Sequence, residues 1–284
     1  MGQRWAKANI QMEHWVWLTL LAAAMGATGL FSGLLAGLFG VGGGIVIVPV
    51  LFYILPLFQV PDATQMKVAV ATSLATIIPT SIVSVRKHRA KGAIDNELLR
   101  SLAPAMFVGV VLGSVLAVVV KGPGLTLVFA CVALLVALNM GLSGIDFRVR
   151  DSMPAGAARH GIAGAIGVVS AMMGIGGGTV GVPVLGAFGT PIRSAVATSS
   201  AFGLIISVPA TILLVVAGIG AEGRPLYSLG WVNLVAFALI VPGSIIATPW
   251  GVVLAHSIPP LLLKRAFAVF LAFTSFRMFS SLVS

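Results

Sequence analysis

The chain has 284 residues, of which 58% are hydrophobic and 8% charged, with a mean hydropathy of +1.10 and a formal net charge of +10. A soluble domain carries about 25% charged residues, so this chain has too little polar surface to cover a water-facing globule, and a soluble fold is excluded. Its positive excess reads as loop charge obeying the positive-inside rule, and as contact with acidic lipid, before it reads as nucleic-acid binding.

Residues 1–26 place Arg4 and Lys7 ahead of an apolar run, as a signal peptide does. Glu13 and His14 interrupt the run and it continues into a glycine-rich break, so the segment reads as retained. From about 15 to 58 the sequence predicts a hairpin broken at Gly40-Val41-Gly42-Gly43-Gly44, with Pro49 close behind. Spans follow over 67–86, 98–120 and 124–142, each near the ~20 residues a bilayer crossing needs. The first two are separated by the basic run Arg86-Lys87-His88-Arg89-Ala90-Lys91. A polar linker over 143–159 carries Arg148, Arg150 and Arg159. Beyond it a second broken hairpin covers 160–189, interrupted at Gly174-Ile175-Gly176-Gly177-Gly178 and followed by Pro183. Its flanking pieces are too short to cross a ~30 Å core singly and fit half-helices that dip in and return. Spans over 194–217, 229–254 and 258–283 complete the chain, and prolines 79, 104, 209, 242 and 249 mark kinks within the spans.

The two halves repeat each other. Residues 40–51 and 174–185 agree at nine of twelve positions, and 67–73 and 193–199 at five of seven, with Lys67 or Arg193 opening an Ala-Val-Ala-Thr-Ser stretch. The expected fold is therefore an all-α polytopic membrane protein of two pseudo-symmetric repeats, each a broken re-entrant hairpin plus three transmembrane helices. Residues 1–142 form the N-terminal repeat, 143–159 a cytoplasmic linker and 160–284 the C-terminal repeat. Three full crossings and a returning hairpin make an odd number of passages, so the second repeat should be inverted. Loop charge agrees: 86–97 is strongly basic, its counterpart 218–228 carries only Glu222 and Arg224, and the 255–265 region, with His256, Lys264 and Arg265, would be cytoplasmic with the 143–159 linker. Arg4 and Lys7 fit less well, since this count places the N-terminus outside.

Irregular backbone at membrane depth must be buried in protein or line a wet cavity, which puts both glycine breaks inside the bundle and facing each other. Corresponding breaks in duplicated halves are where transporters built this way place their site. A half-helix starting after Gly44 or Gly178 presents unpaired N–H groups and about half a positive charge, and glycine amides in a tight turn form an anion-holding concavity. Thr72, Ser73, Thr198, Ser199 and Ser200 can add hydroxyl donors. The competing reading for these hydroxyls is bonding back to their own helix. For glycines the competing reading is close helix packing, which accounts for Gly26, Gly29, Gly33 and Gly37 at steps of three or four but poorly for triplets. Lys67 and Arg193 either steer anions toward the two entrances or snorkel at the interfaces.

Glu13, Asp62, Asp95, Glu97, Asp146, Asp151 and Glu222 all fall in loops or at span edges, which disfavours a metal or sodium carrier. His14, His88, His160 and His256 are scattered, so neither a metal cluster nor a Ser–His pair is suggested, and the lone Cys131 gives no disulfide framework. The glycine runs are not a P-loop, because no Lys-Ser or Lys-Thr follows them, nor a dinucleotide fingerprint.

Two GxGGG-type breaks followed by Val-Pro, each with a downstream Ala-Thr-Ser, resemble the TauE/SafE sulfite exporter family over about Met25 to Phe279. The resemblance implies a multi-pass protein of the bacterial inner membrane that exports sulfite, sulfoacetate or related organosulfonates. It carries the substrate region onto Gly40, Gly42, Gly43, Gly44, Pro49, Thr72, Ser73, Gly174, Gly176, Gly177, Gly178, Pro183, Thr198 and Ser199. Alternating-access export is thus the expected function, with an anion channel or an importer of another oxyanion on the same fold as alternatives. An enzyme or scaffold is disfavoured. The partners expected are a small anion, the lipid bilayer and, as options, a coupled proton and a second copy of the chain; no cofactor, metal or nucleic acid is expected.

Overall fold

The protein is described here by a computed structural model covering residues 2–141, 150–254 and 260–283. The 143–149 part of the expected linker, with Asp146 and Arg148, and His256 lie outside the described residues, as do the side chains of Arg4, Lys7, Glu13, His14 and Lys264. Among the described residues ten α-helices follow one another. The first five are α1 (Gly2–Phe39), α2 (Gly44–Ile54), α3 (Asp62–Ala90), α4 (Asn96–Val119) and α5 (Gly122–Gly141). The second five are α6 (Ala157–Met173), α7 (Gly178–Ala187), α8 (Ile192–Gly218), α9 (Leu234–Leu254) and α10 (Pro260–Val283). A 3-10 turn, Leu55–Phe58, extends α2, and a short antiparallel pair, β1 (Ser228–Leu229) with β2 (Val232–Asn233), leads into α9.

Local chemistry sets the boundaries. α1 stops at Phe39 because Gly40, Gly42 and Gly43 take φ of 64°, 73° and 80°, a left-handed region that costs a residue with a Cβ roughly 1–2 kcal/mol. α6 stops at Gly174, φ 69°, for the same reason. α3 and α8 each follow a proline, Pro61 or Pro191, whose ring holds φ at −59° or −54° while ψ stays extended. α4 and α9 start on side-chain caps: the Asp95 carboxylate accepts the Leu98 N–H at 2.9 Å, and Asn233 Oδ1 accepts the Ala236 N–H at 2.8 Å.

Six segments are long and apolar enough to cross a membrane: Thr19–Phe39 of α1, and α3, α4, α5, α8 and α9. Their outward faces carry exposed Phe107, Leu112 and Val119 on α4, Leu135 on α5, Val216 on α8 and Val253 on α9, the pattern of side chains that meet lipid instead of water. α2 and α7, at 11 and 10 residues, reach only about half the ~30 Å core at 1.5 Å per residue. α10, Pro260–Val283, has 24 residues and covers most of the expected 258–283 span.

Close backbone contacts define how the helices run. A Cβ at Gly29, Gly33 or Gly37 would collide with the carbonyl oxygen of Ile240, Ser244 or Thr248, respectively, so α1 and α9 lie side by side in the same direction. Gly109 and Gly113 of α4 meet Gly164 and Val168 of α6 in the same manner. The pair α3 and α8 runs antiparallel. Thr64 bonds to the Gly223 carbonyl just past the end of α8, Gly203 lies against Ser81 and Ile77, and Asp95 beyond the end of α3 reaches Thr198 near the start of α8. The pair α5 and α10 is also antiparallel, with Gly141 beside Ala268 and Ala130 accepting a bond from Ser275.

Candidate substrate site at the apposed glycine breaks

The two breaks meet in the buried centre. A Cβ placed at Gly42 would lie 3.4 Å from the Gly176 Cα, and one at Gly176 would lie 3.3 Å from the Gly42 Cα. Gly44 faces the carbonyl oxygen of Gly174, and Gly178 faces that of Gly40, each too closely for a methyl group. The contact is reciprocal: each short helix begins against the end of the other half's first helix. Residues 40–44 and 174–178 are all buried.

α2 starts at Gly44 behind Gly43, and α7 starts at Gly178 behind Gly177, both with no side-chain cap. Backbone bonds serve part of each first turn, from Val46 and Ile47 to the Gly43 carbonyl and from Gly181 to the Gly177 carbonyl at 2.6 Å. Two helix N-termini, each with roughly half a positive charge, therefore lie at one place without a buried Lys or Arg among the break residues. Pro49 and Pro183 sit inside α2 and α7 and remove one intrahelical donor from each.

The hydroxyls expected near the breaks are all buried but divide in role. Ser73 donates to the Gly174 carbonyl at 2.6 Å and so crosses between halves. Ser200 bonds back to Ala197 of its own helix at 2.6 Å. Thr72 Oγ1 accepts the Asn233 N–H at 2.9 Å, and Thr198 Oγ1 accepts the Asp95 N–H at 3.0 Å. The Ser199 hydroxyl, beside Gly181, has no protein partner, and neither has that of Thr179 in the first turn of α7. Lys67 turns to the Val118 carbonyl at 2.6 Å and lies 5.9 Å from the Trp231 ring centroid, whereas Arg193 stands exposed in the first turn of α8.

The flanks of the two breaks differ. Gly43 abuts Ser32, whose hydroxyl is 3.0 Å from that of Ser244, and both hydroxyls reach the Gly29 carbonyl. Gly177 abuts Phe202 and Ile206 instead. The difference is local to Gly43 and Gly177, since Gly42 meets the Ile77 side chain and Gly181 meets Ser199.

Reading the glycine repeats alone misses Ser32, Ser244, Thr179 and the capping residues Asp95 and Asn233. A signal for the caps exists: Asp95, Pro104 and Gly113 recur at the same spacing as Asn233, Pro242 and Gly251.

The sulfite exporter TauE/SafE family profile matches residues 25–278. The chain is 35% identical over 253 residues to a probable membrane transporter protein of Haemophilus influenzae, covering 88% of this chain and 95% of that protein. It is 29% identical over 251 residues to a probable membrane transporter protein of Methanocaldococcus jannaschii, covering 85% and 89%. No solved structure matches the chain. An all-helical polytopic fold and a family match running nearly end to end lead to one conclusion: this chain belongs to the sulfite exporter TauE/SafE family and is a membrane transporter, not an enzyme.

Proposed function

We propose that the protein is a secondary carrier exporting a small sulfur-containing oxyanion, such as sulfite, sulfoacetate or a related organosulfonate, across a bacterial inner membrane by alternating access. The observation that carries this reading is the apposition of two uncapped short-helix N-termini at paired glycine breaks. Their amides attract negative charge through fixed dipoles, and an anion held without an ion pair is free to leave again. Gly42–Gly44 and Gly176–Gly178 supply the amides, with Ser73 and Ser199 as hydroxyl donors once the breaks separate. Lys67 and Arg193 mark the two approaches.

Alternating access is supported by the packing. Helices that correspond between the halves, α3 with α8 and α5 with α10, run antiparallel, as an inverted repeat with its two-fold axis in the membrane plane requires. The two breaks are in contact in this conformation, which favours a carrier over an open channel. Asp62, Asp95, Glu97, Asp151 and Glu222 lie at helix ends or in loops, so a coupled proton would travel on a weak-acid substrate.

The test is uptake of labelled sulfite and sulfoacetate into inverted membrane vesicles. Gly43→Val and Gly177→Val should abolish uptake while membrane insertion is retained. Transport surviving in both variants would remove the amide site from the account.

A further inference from the structure

Two hydrogen bonds that the anion site does not use tie the central helices to the chain segments beyond their ends. The Asn233 N–H donates to Thr72 Oγ1 at 2.9 Å, and the Asp95 N–H donates to Thr198 Oγ1 at 3.0 Å. They are one bond made twice. Thr72 and Thr198 hold matching places in the duplicated Ala-Val-Ala-Thr-Ser stretch, and Asp95 and Asn233 both cap the helix that follows them. Each bond also crosses between the halves. Thr72 and Thr198 are fully buried, so their oxygens take the place water would have for those N–H groups.

Their positions give them a task. The Thr72–Asn233 bond ties the eleventh residue of α3 to the segment that leads into α9, and the Thr198–Asp95 bond ties the seventh residue of α8 to the segment that leads into α4. Because α3 and α8 are antiparallel and Gly203 lies against Ile77 and Ser81, Thr72 and Thr198 fall on opposite sides of that contact. A neutral hydroxyl-to-amide bond is weak in net terms and easily remade, which suits a contact broken once per cycle.

We propose that these two bonds are gating latches, that Thr72 and Thr198 are positioning residues, and that Asp95 and Asn233 are their partners. Opening toward one face breaks one latch while the other holds, and with both made the glycine breaks stay in contact, as they are here. The basic run Arg86–Lys91 next to Asp95 assigns the Thr198 latch to the cytoplasmic side, and the Thr72 latch to the opposite side. The proposal builds on the carrier reading, but its main readout needs no substrate.

The experiment places a reporter, Ser32→Cys, beside Gly43 in a Cys131→Ala background and labels it with a membrane-impermeant thiol reagent from each face of oriented vesicles. Thr198→Val should raise the labelling rate from the cytoplasmic face about ten-fold and leave the other face unchanged, the scale expected when a buried N–H loses its acceptor. Thr72→Val should do the reverse. Thr→Ser at either position keeps the oxygen and should restore the parent rates. Turnover should fall in the valine variants while KM for labelled sulfite or sulfoacetate stays within about two-fold, because only the gate is disturbed. Equal changes from both faces, no change in inserted protein, or serine behaving like valine would each overturn the latch. So would a raised KM with unaltered labelling, which would return the hydroxyls to the substrate. Latch-like labelling in protein that moves neither anion would sink the substrate reading alone.

Discussion

Gly44 and Gly178 have no room for a methyl group, since each faces a carbonyl oxygen of the other half. Alanine at either position must push the breaks apart, so Gly44→Ala and Gly178→Ala should each lower stability by about 1–3 kcal/mol, the range for overpacking, and impair transport. Gly26→Ala is the control, because a Cβ there meets nothing within 4 Å. Thermal unfolding of the purified proteins checks this, and equal melting temperatures for all three would contradict the packing. The glycines were legible in the sequence because the backbone they require is a local matter, visible wherever triplets interrupt apolar runs. The partners of Thr72 and Lys67 were not, because those bonds reach a backbone N–H 161 residues away and a backbone carbonyl 51 residues away, and peptide groups carry no residue signature. From sequence Thr72 and Thr198 can donate to substrate or bond back to their own helix; in the structure the oxygen of each accepts an N–H from the other half, and a hydroxyl that accepts can still donate.

Helix-to-helix packing is where small residues have their largest effect. Gly29, Gly33 and Gly37 let α1 approach the α9 backbone, as their spacing predicts, and a large side chain in that seam cannot be absorbed by a side-chain shift because the obstacle is backbone. Gly33→Leu should therefore separate the two helices and reduce the yield of folded protein, measured by monodispersity in detergent; an unaltered elution profile would count against the seam. Asp95→Ala removes a helix cap and should cost about 0.5–2 kcal/mol, read from the same unfolding experiment. Most element boundaries follow from glycine and proline punctuation, so the broken hairpins and the spans could be anticipated. α1 instead runs unbroken from Gly2, because no glycine or proline interrupts residues 3–25. The β1–β2 pair ahead of α9 carries too few residues to leave a period, and only Gly230 at φ 58° between its strands marks the turn.

The arrangement of the whole molecule follows from directions that sequence can suggest only through loop charge. An odd number of passages and the basic 86–97 loop predicted inversion, and the antiparallel course of α3 with α8 and of α5 with α10 supports it from contacts alone. Lys91 and Leu226 are both exposed and follow the ends of α3 and α8, respectively. In the Cys131→Ala background, Lys91→Cys should be labelled only from the cytoplasmic side and Leu226→Cys only from the other; labelling of both from one side would refute the inverted arrangement. The central claim is that apposed peptide amides hold a sulfur oxyanion carried by alternating exposure. Counterflow of labelled sulfite or sulfoacetate in liposomes containing the purified protein addresses it most directly. Transient accumulation of label against its own gradient is expected when the unlabelled anion is loaded inside, and Gly177→Val should abolish it. Passive equilibration without overshoot, or an ion conductance far above carrier turnover, would contradict it.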